Sequence, residues 1–120
     1  MISERDAVLR TLHNYEEAFE DLDVSAAAEV WPSVDRRALS RAFATLKSQG
    51  LNFVACDIAV VESNATARCD GSVEFVRRVG RSGPMTAQQR WVFKMRKIGT
   101  HWMIEEVIAS PAEAGIRESL

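Results

Sequence analysis

No stretch of this 120-residue chain approaches the roughly 18–20 consecutive apolar residues that a membrane-crossing helix needs. The opening Ser3-Glu4-Arg5-Asp6 has none of the apolar core of a secretory signal. The expectation is a soluble, cytoplasmic chain as it stands, or a domain cut from a longer exported or membrane-anchored protein. Cysteine and histidine occur only twice each, far apart and too few for a zinc site, so neither metal nor cofactor is expected. Positive charge is not in excess: 15 Lys and Arg against 17 Asp and Glu leave a net charge of −2, which argues against nucleic-acid and membrane-surface partners. Repeats, linkers and low-complexity segments are missing too, and no catalytic motif stands out. A chain of this length with 47% hydrophobic residues builds one core without staples, here a single domain over 1–110 followed by a tail at 111–120.

The charge is unevenly distributed. Acidic residues crowd the first thirty positions, and basic residues crowd 68–97. A solvated acidic helix and a solvated basic sheet face explain this better than a polyanion site.

Ser3 followed by Asp6 reads as a helix start. Val8, Leu12, Tyr15, Phe19 and Leu22 then recur at three- and four-residue steps, one apolar stripe running to about Asp21. Asp23 is placed to cap a short second helix from Val24 to about Val30, which Pro32 stops. Ser33 or Asp35 opens a third helix with Leu39, Ala42, Phe43 and Leu46 on its inner face and Gly50 as its left-handed terminator. From Leu51 the period changes to two. Leu51–Val61 and Ala65–Val79 read as strands about a turn at Glu62-Ser63-Asn64. Trp91, Phe93 and Met95 alternate with Arg90, Lys94 and Arg96 in a third strand. Gly99 supplies a turn into a fourth, carrying Trp102 and Ile104 to about Ala109. Leu51 and Phe53 have one parity while Cys56, Ile58 and Val60 have the other, so a bulge near Val54-Ala55 is expected to bring all five inward.

Three helices followed by four long meandering strands make an α+β architecture in which helices pack into the concave face of a curved antiparallel sheet. This order resembles the cone fold of the nuclear transport factor 2-like (NTF2-like, cystatin-like) superfamily, which includes SnoaL-like polyketide cyclases and ketosteroid isomerases. The resemblance is carried by Tyr15 with Leu22-Asp23, by Ala65-Thr66-Ala67 after the first hairpin turn, and by Arg90-Trp91-x-Phe93 with Trp102-x-Ile104. Val30-Trp31-Pro32-Ser33-Val34-Asp35, with Cys56 and Cys69, resembles bacterial domains of this superfamily appended to larger sensory or envelope proteins. It covers about residues 3–109 and implies fold far more than activity.

In ketosteroid isomerases a first-helix tyrosine donates to the developing oxyanion, the place Tyr15 takes here. That chemistry also needs a carboxylate base and a second acid. Leu39 falls near the expected base, and Trp102 and Ile104 where the second acid belongs, so Tyr15 reads as a core tyrosine at the cone mouth. Asp23, His101 and Glu106 are the other weak catalytic candidates, with Asp23 most simply a helix cap and His101 and Glu106 exposed. The aromatic set Trp31, Trp91 and Trp102 with Phe19, Phe43, Phe75 and Phe93 either fills the core or, with Tyr15, leaves a residual pocket for a small apolar ligand. Cys56 and Cys69 flank the first hairpin turn. A register pairing Val61 with Asn64 puts them directly opposite, within disulfide reach, while a reducing compartment would leave them as two thiols. Arg68, Arg90 and Lys94 share the outer parity with Val76 and Val92, a face that the resemblance associates with homodimers. The expected function is therefore a non-catalytic homodimerising module that binds a small apolar ligand. An isomerase, dehydratase or cyclase with a cone pocket is the first alternative, and a protein-interaction adaptor working through the outer sheet the second.

Overall fold

A computed structural model describes residues 3–80 and 83–111; the tail expected from 111 lies, beyond Pro111, outside the described residues. Three helices, α1 (Glu4–Glu20), α2 (Val24–Val30) and α3 (Arg36–Ala44), precede four strands, β1 (Leu46–Val61), β2 (Asn64–Arg77), β3 (Met85–Ile98) and β4 (His101–Pro111). The strands form one antiparallel meander in the order β1-β2-β3-β4. The fold is the NTF2-like cone, with the helices laid against a curved sheet.

Each helix begins on a side-chain cap. Ser3 Oγ accepts from the Asp6 N–H at 3.1 Å, Asp23 Oδ1 from Ala26 at 3.0 Å, and Asp35 Oδ1 from Ala38 at 3.0 Å, so each satisfies one of the orphan donors of a first turn. Ser33 does not cap: its hydroxyl donates to the Glu105 carbonyl at 3.1 Å and ties the α2–α3 connection to β4. The apolar stripe of α1 buries Val8, Leu12 and Tyr15 against the sheet, where Trp91, Phe93, Met95, Trp102 and Ile104 meet it. Burying each of these large side chains contributes roughly 1.5–3 kcal/mol. A buried Thr11 hydroxyl donating to the Trp102 carbonyl at 2.9 Å fixes the height of α1 over β4.

The second strand ends at Arg77, two residues short of the expected Val79, and two boundaries move further. The third helix ends at Ala44 rather than at Gly50: Thr45 is its C-cap, its hydroxyl donating back to the Ala42 carbonyl at 2.7 Å. Gly50 lies inside β1 and is not among the residues with positive φ. Leu46 accordingly belongs to β1 and not to the helix face. The first strand begins five residues early because β2 extends to Arg77 and offers a ladder to 46–50, with Ser48 opposite Val76 and Gly50 opposite Glu74. Paired backbone outweighs the helical spacing of Leu39, Phe43 and Leu46.

Three register shifts interrupt the described sheet: one between Leu46 and Ser48 at the start of β1, one where parity demanded it, and one in β4. Register shifts between Phe53 and Ala55, leaving Val54 as the extra, exposed residue, and Cys56, Ile58 and Val60 resume the inward face. The shift in β4 leaves Glu105 unpaired between Ile104, opposite Met95, and Glu106, opposite Lys94. Val61 pairs with Asn64, so Cys56 and Cys69 stand directly opposite, Cα atoms 4.1 Å apart, joined as a disulfide.

Candidate functional site

The deep part of the cone is solid. Phe93 is fully enclosed, and Trp91 and Trp102 nearly so. Phe53 meets Trp91 edge-on at 4.7 Å, and Tyr15 meets Phe93 edge-on at 5.0 Å, the aromatic geometry that quadrupoles favour. Trp102 keeps its indole nitrogen buried without a hydrogen-bond partner.

Toward the mouth the packing opens into a cavity of about 370 Å³. Its inner wall is Tyr15, Phe19, Leu51 and Trp91, and its rim includes Ala42, Leu46, Phe75 and Ala109. Each wall follows from the elements: the α1 stripe delivers Tyr15 and Phe19, and the inward parity of β1 and β3 delivers Leu51 and Trp91. Phe19 stacks on Tyr15 at 4.2 Å and touches Phe43 edge-on at 5.1 Å, so Phe43 supports the wall from behind without lining it. Besides Tyr15, its polar lining is two primary amides, Gln49 and Gln89, and Thr45, whose hydroxyl already donates to the Ala42 carbonyl. Gln49 donates through Nε2 to the Phe19 carbonyl at 3.1 Å, which holds the α1 end against β1 and leaves the amide oxygen as an acceptor. Desolvation alone pushes the Tyr15 hydroxyl well above the usual phenol range. It therefore stays protonated across the physiological range and serves as a neutral donor.

Of the aromatic residues expected around a pocket, the structure brings Tyr15, Phe19 and Trp91 to this cavity. Phe93 and Trp102 are in the solid core beneath it. Trp31 lines a separate, apolar surface groove with Val34, Ala38 and Leu39. Phe75, also in that aromatic set, is on the rim, whereas Leu46, Gln49 and Gln89 were not anticipated as lining residues. One signal was available: Gln89 shares strand parity with Trp91 and Phe93, and a polar residue on an inward face marks a wall that is not dry.

The acid and base candidates are scattered. Asp23 is exposed and its carboxylate is held by the Ala26 N–H at the start of α2. Glu106 is on the outer side of the sheet, 3.7 Å from Lys94 Nζ. His101 is exposed at the start of β4 and lines a different groove, with Arg10, Asn14 and Glu29. None of these three lines the Tyr15 cavity. His13 lies on the wet side of α1 between Glu16 and Glu17. Burial pushes the Glu16 carboxyl above its usual range, opposed by the neighbouring His13 and a hydrogen bond from the Phe53 amide. Among the described residues no group of three or more His, Cys, Asp and Glu side chains could hold a metal ion, and no helix is long and apolar enough to cross a membrane.

The outer sheet face carries the remaining predicted residues. Arg68 pairs across the ladder with Val92, and Val92 with Ile108, an apolar centre between charged rows. Arg90 Nε bonds Asp70 at 2.7 Å, Lys94 faces Glu106, and Arg96 Nε is 3.3 Å from Glu105. Val76 lies on the same face near the far end of β2.

No protein-family model matches the sequence, and no curated protein does. Solved structures match the fold. An NTF2-like superfamily protein from Salmonella enterica superposes with a TM-score of 0.76 at 19% identity, covering 87% of this chain and 87% of the other. A dehydratase candidate of the NTF2-like family from Streptomyces avermitilis gives 0.79 at 13% identity, covering 91% and 97%. A hexachlorocyclohexane dehydrochlorinase gives 0.75 at 6% identity, covering 90% and 84%. At these identities the likeness extends to the fold: the chain has the NTF2-like cone, shared by enzymes and by proteins of unassigned function.

Proposed function

We propose that this protein is a non-catalytic binding module that takes a small, uncharged, largely apolar molecule in the cone mouth and works as a homodimer. One observation carries the reading: a cavity of about 370 Å³ is walled by aromatic and aliphatic side chains with two amides, a threonine hydroxyl and a phenol, while Asp23, His101 and Glu106 lie elsewhere. Its size falls within the roughly 300–1,000 Å³ of small-molecule sites. Neutral polar groups orient a ligand by hydrogen bonds, and an ionised ligand would enter without a counter-charge to offset its desolvation. Acid–base turnover needs a titrating group within hydrogen-bond reach of the bound molecule. The one titratable side chain on the wall, Tyr15, is held protonated.

An enzyme of isomerase, dehydratase or cyclase type is the competing reading, favoured by the names of the Streptomyces protein and the dehydrochlorinase on the same fold. Naphthol, bicyclic and neutral at pH 7 with one hydroxyl, is a suitable probe. It is expected to bind with perturbation of the Trp91 environment. Ala109→Trp, which fills the rim from an exposed position, should weaken that binding at least 10-fold without changing the melting temperature. Unchanged affinity in Ala109→Trp would remove the cavity as the site.

A further inference from the structure

The Cys56–Cys69 bond lies in a second opening of the molecule, unrelated to the cone mouth. β1 is an edge strand, and its bulge at Phe53–Ala55 faces α1, where the Phe53 amide hydrogen-bonds Glu16. The groove between them, about 390 Å³, is lined by Arg5, Leu9, His13, Glu16 and Phe53, with Cys56 in its wall. The two sulfurs face different surroundings. Cys56 is half-buried on this groove, whereas Cys69 is fully enclosed on the inner strand β2, opposite Trp91.

We infer that this bond is a one-sided thiol-exchange site, at which a small thiol entering the edge groove becomes attached to Cys56 and only to Cys56. A thiolate attacks a disulfide along the S–S axis, from behind the sulfur it will bond. For Cys56 that direction points away from β2 and toward the sheet edge, where the groove opens. For Cys69 it points into the core, which Trp91 and the strands close. The incoming sulfur bonds to Cys56 Sγ, the Cys56–Cys69 bond breaks, and Cys69 leaves as a thiolate that takes up a proton. If the attacking molecule is a dithiol, its second thiol then displaces Cys56. The net change is two electrons and two protons from the dithiol, giving two protein thiols and an oxidised dithiol. Cys69 leaves into an enclosed, apolar site that solvates its thiolate poorly, so the adduct on Cys56 forms slowly. Cys69 stays directly opposite Cys56 and can return to expel the small thiol, so the adduct is held by an excess of that thiol. In the groove Arg5 attracts an anionic thiol such as glutathione, against Glu16, while His13 already lies 3.9 Å from Glu16 and 3.3 Å from Glu17.

The test treats the folded, oxidised protein with glutathione without denaturant, quenches with acid, alkylates free thiols and cleaves after Arg68, which separates the two cysteines. Glutathione is expected on Cys56 and the alkyl group on Cys69, with at least a 10-fold excess over the reverse labelling. Equal labelling, glutathione on Cys69, or exchange seen only once urea unfolds the chain would overturn the inference. Two single variants give an independent reading. The remaining Cys56 in Cys69→Ser should react with glutathione disulfide at least 10-fold faster than the remaining Cys69 in Cys56→Ser, and equal rates would also overturn it.

Discussion

Gly71 sits opposite Phe53 at the place where β1 bulges, and a methyl group there would collide with the carbonyl of Asn52, which is backbone and cannot swing aside. Gly71→Ala is therefore expected to cost about 1–3 kcal/mol or more, read as a lower urea midpoint with unchanged slope. Gly50→Ala, in the neighbouring strand, is the control. Its added methyl meets only the Glu20 side chain, at 3.9 Å, so the change should stay within about 0.5 kcal/mol. Equal effects would mean that the Asn52 contact does not determine the cost. The two glycines are indistinguishable as letters in strands, because the requirement at 71 arises from the backbone of Asn52 on the partner strand. The cavity hides in the same manner. Tyr15, Phe19 and Trp91 could be placed inward from their spacing, yet spacing says nothing of which inward residues touch one another and which face a void. Gln49 and Gln89, two of the groups that set the cavity's polarity, become visible only once β1 and β3 are placed around α1.

Where several residues share one constraint, the sequence is more explicit. The change of parity between Phe53 and Cys56 has one economical solution, an extra residue, and Val54 fills that role while 74% exposed. The capping aspartates and the Gly99 turn were legible for the same reason: a side chain or a positive φ acts locally. The α3–β1 junction was not, since residues 46–50 extend a helical apolar spacing and only their pairing with β2 makes them strand. Deleting Val54 is a sharp test at this scale. Without it Phe53 and Ala55 become neighbours opposite Gly71 and Asp70, and strict alternation carries Leu51, Phe53, Cys56, Ile58 and Val60 inward with no bulge. The deletion is therefore expected to keep the disulfide and to cost less than about 1.5 kcal/mol. Deleting Asp57 instead should cost more than about 3 kcal/mol, the order of a lost large core side chain, because a one-residue slip turns Ile58 and Val60 outward. Equal costs for the two deletions would show that parity is not what sets the faces.

For the whole molecule, the proposed homodimer rests on the outer sheet. Val92 and Ile108 form an apolar centre, and around it charges of both signs alternate between strands: Asp70 with Arg90, Lys94 with Glu106, Arg96 with Glu105. A surface carrying both signs in alternating rows can complement itself across a two-fold axis, whereas a single-sign patch would repel its own copy. The exposed ion pairs contribute little within one chain, because water and salt screen them. Their arrangement instead sets which surface the apolar centre meets. The expected outcome is a dimer in sedimentation at micromolar concentration, burying roughly 1,200–2,000 Å² in total. Val92→Arg should raise its dissociation constant at least 10-fold, because a third guanidinium would then crowd Arg68 and Arg90 with no added acid. Arg5→Gln, a charge change on the edge groove and off this face, should leave the dimer unaltered. A protein that remains monomeric at high micromolar concentration would exclude the dimer and leave this face to a partner of a different kind. Loss of the dimer in Val92→Arg with unchanged naphthol affinity would separate assembly from binding, as expected when the cone mouth and the outer face lie on opposite sides of one sheet.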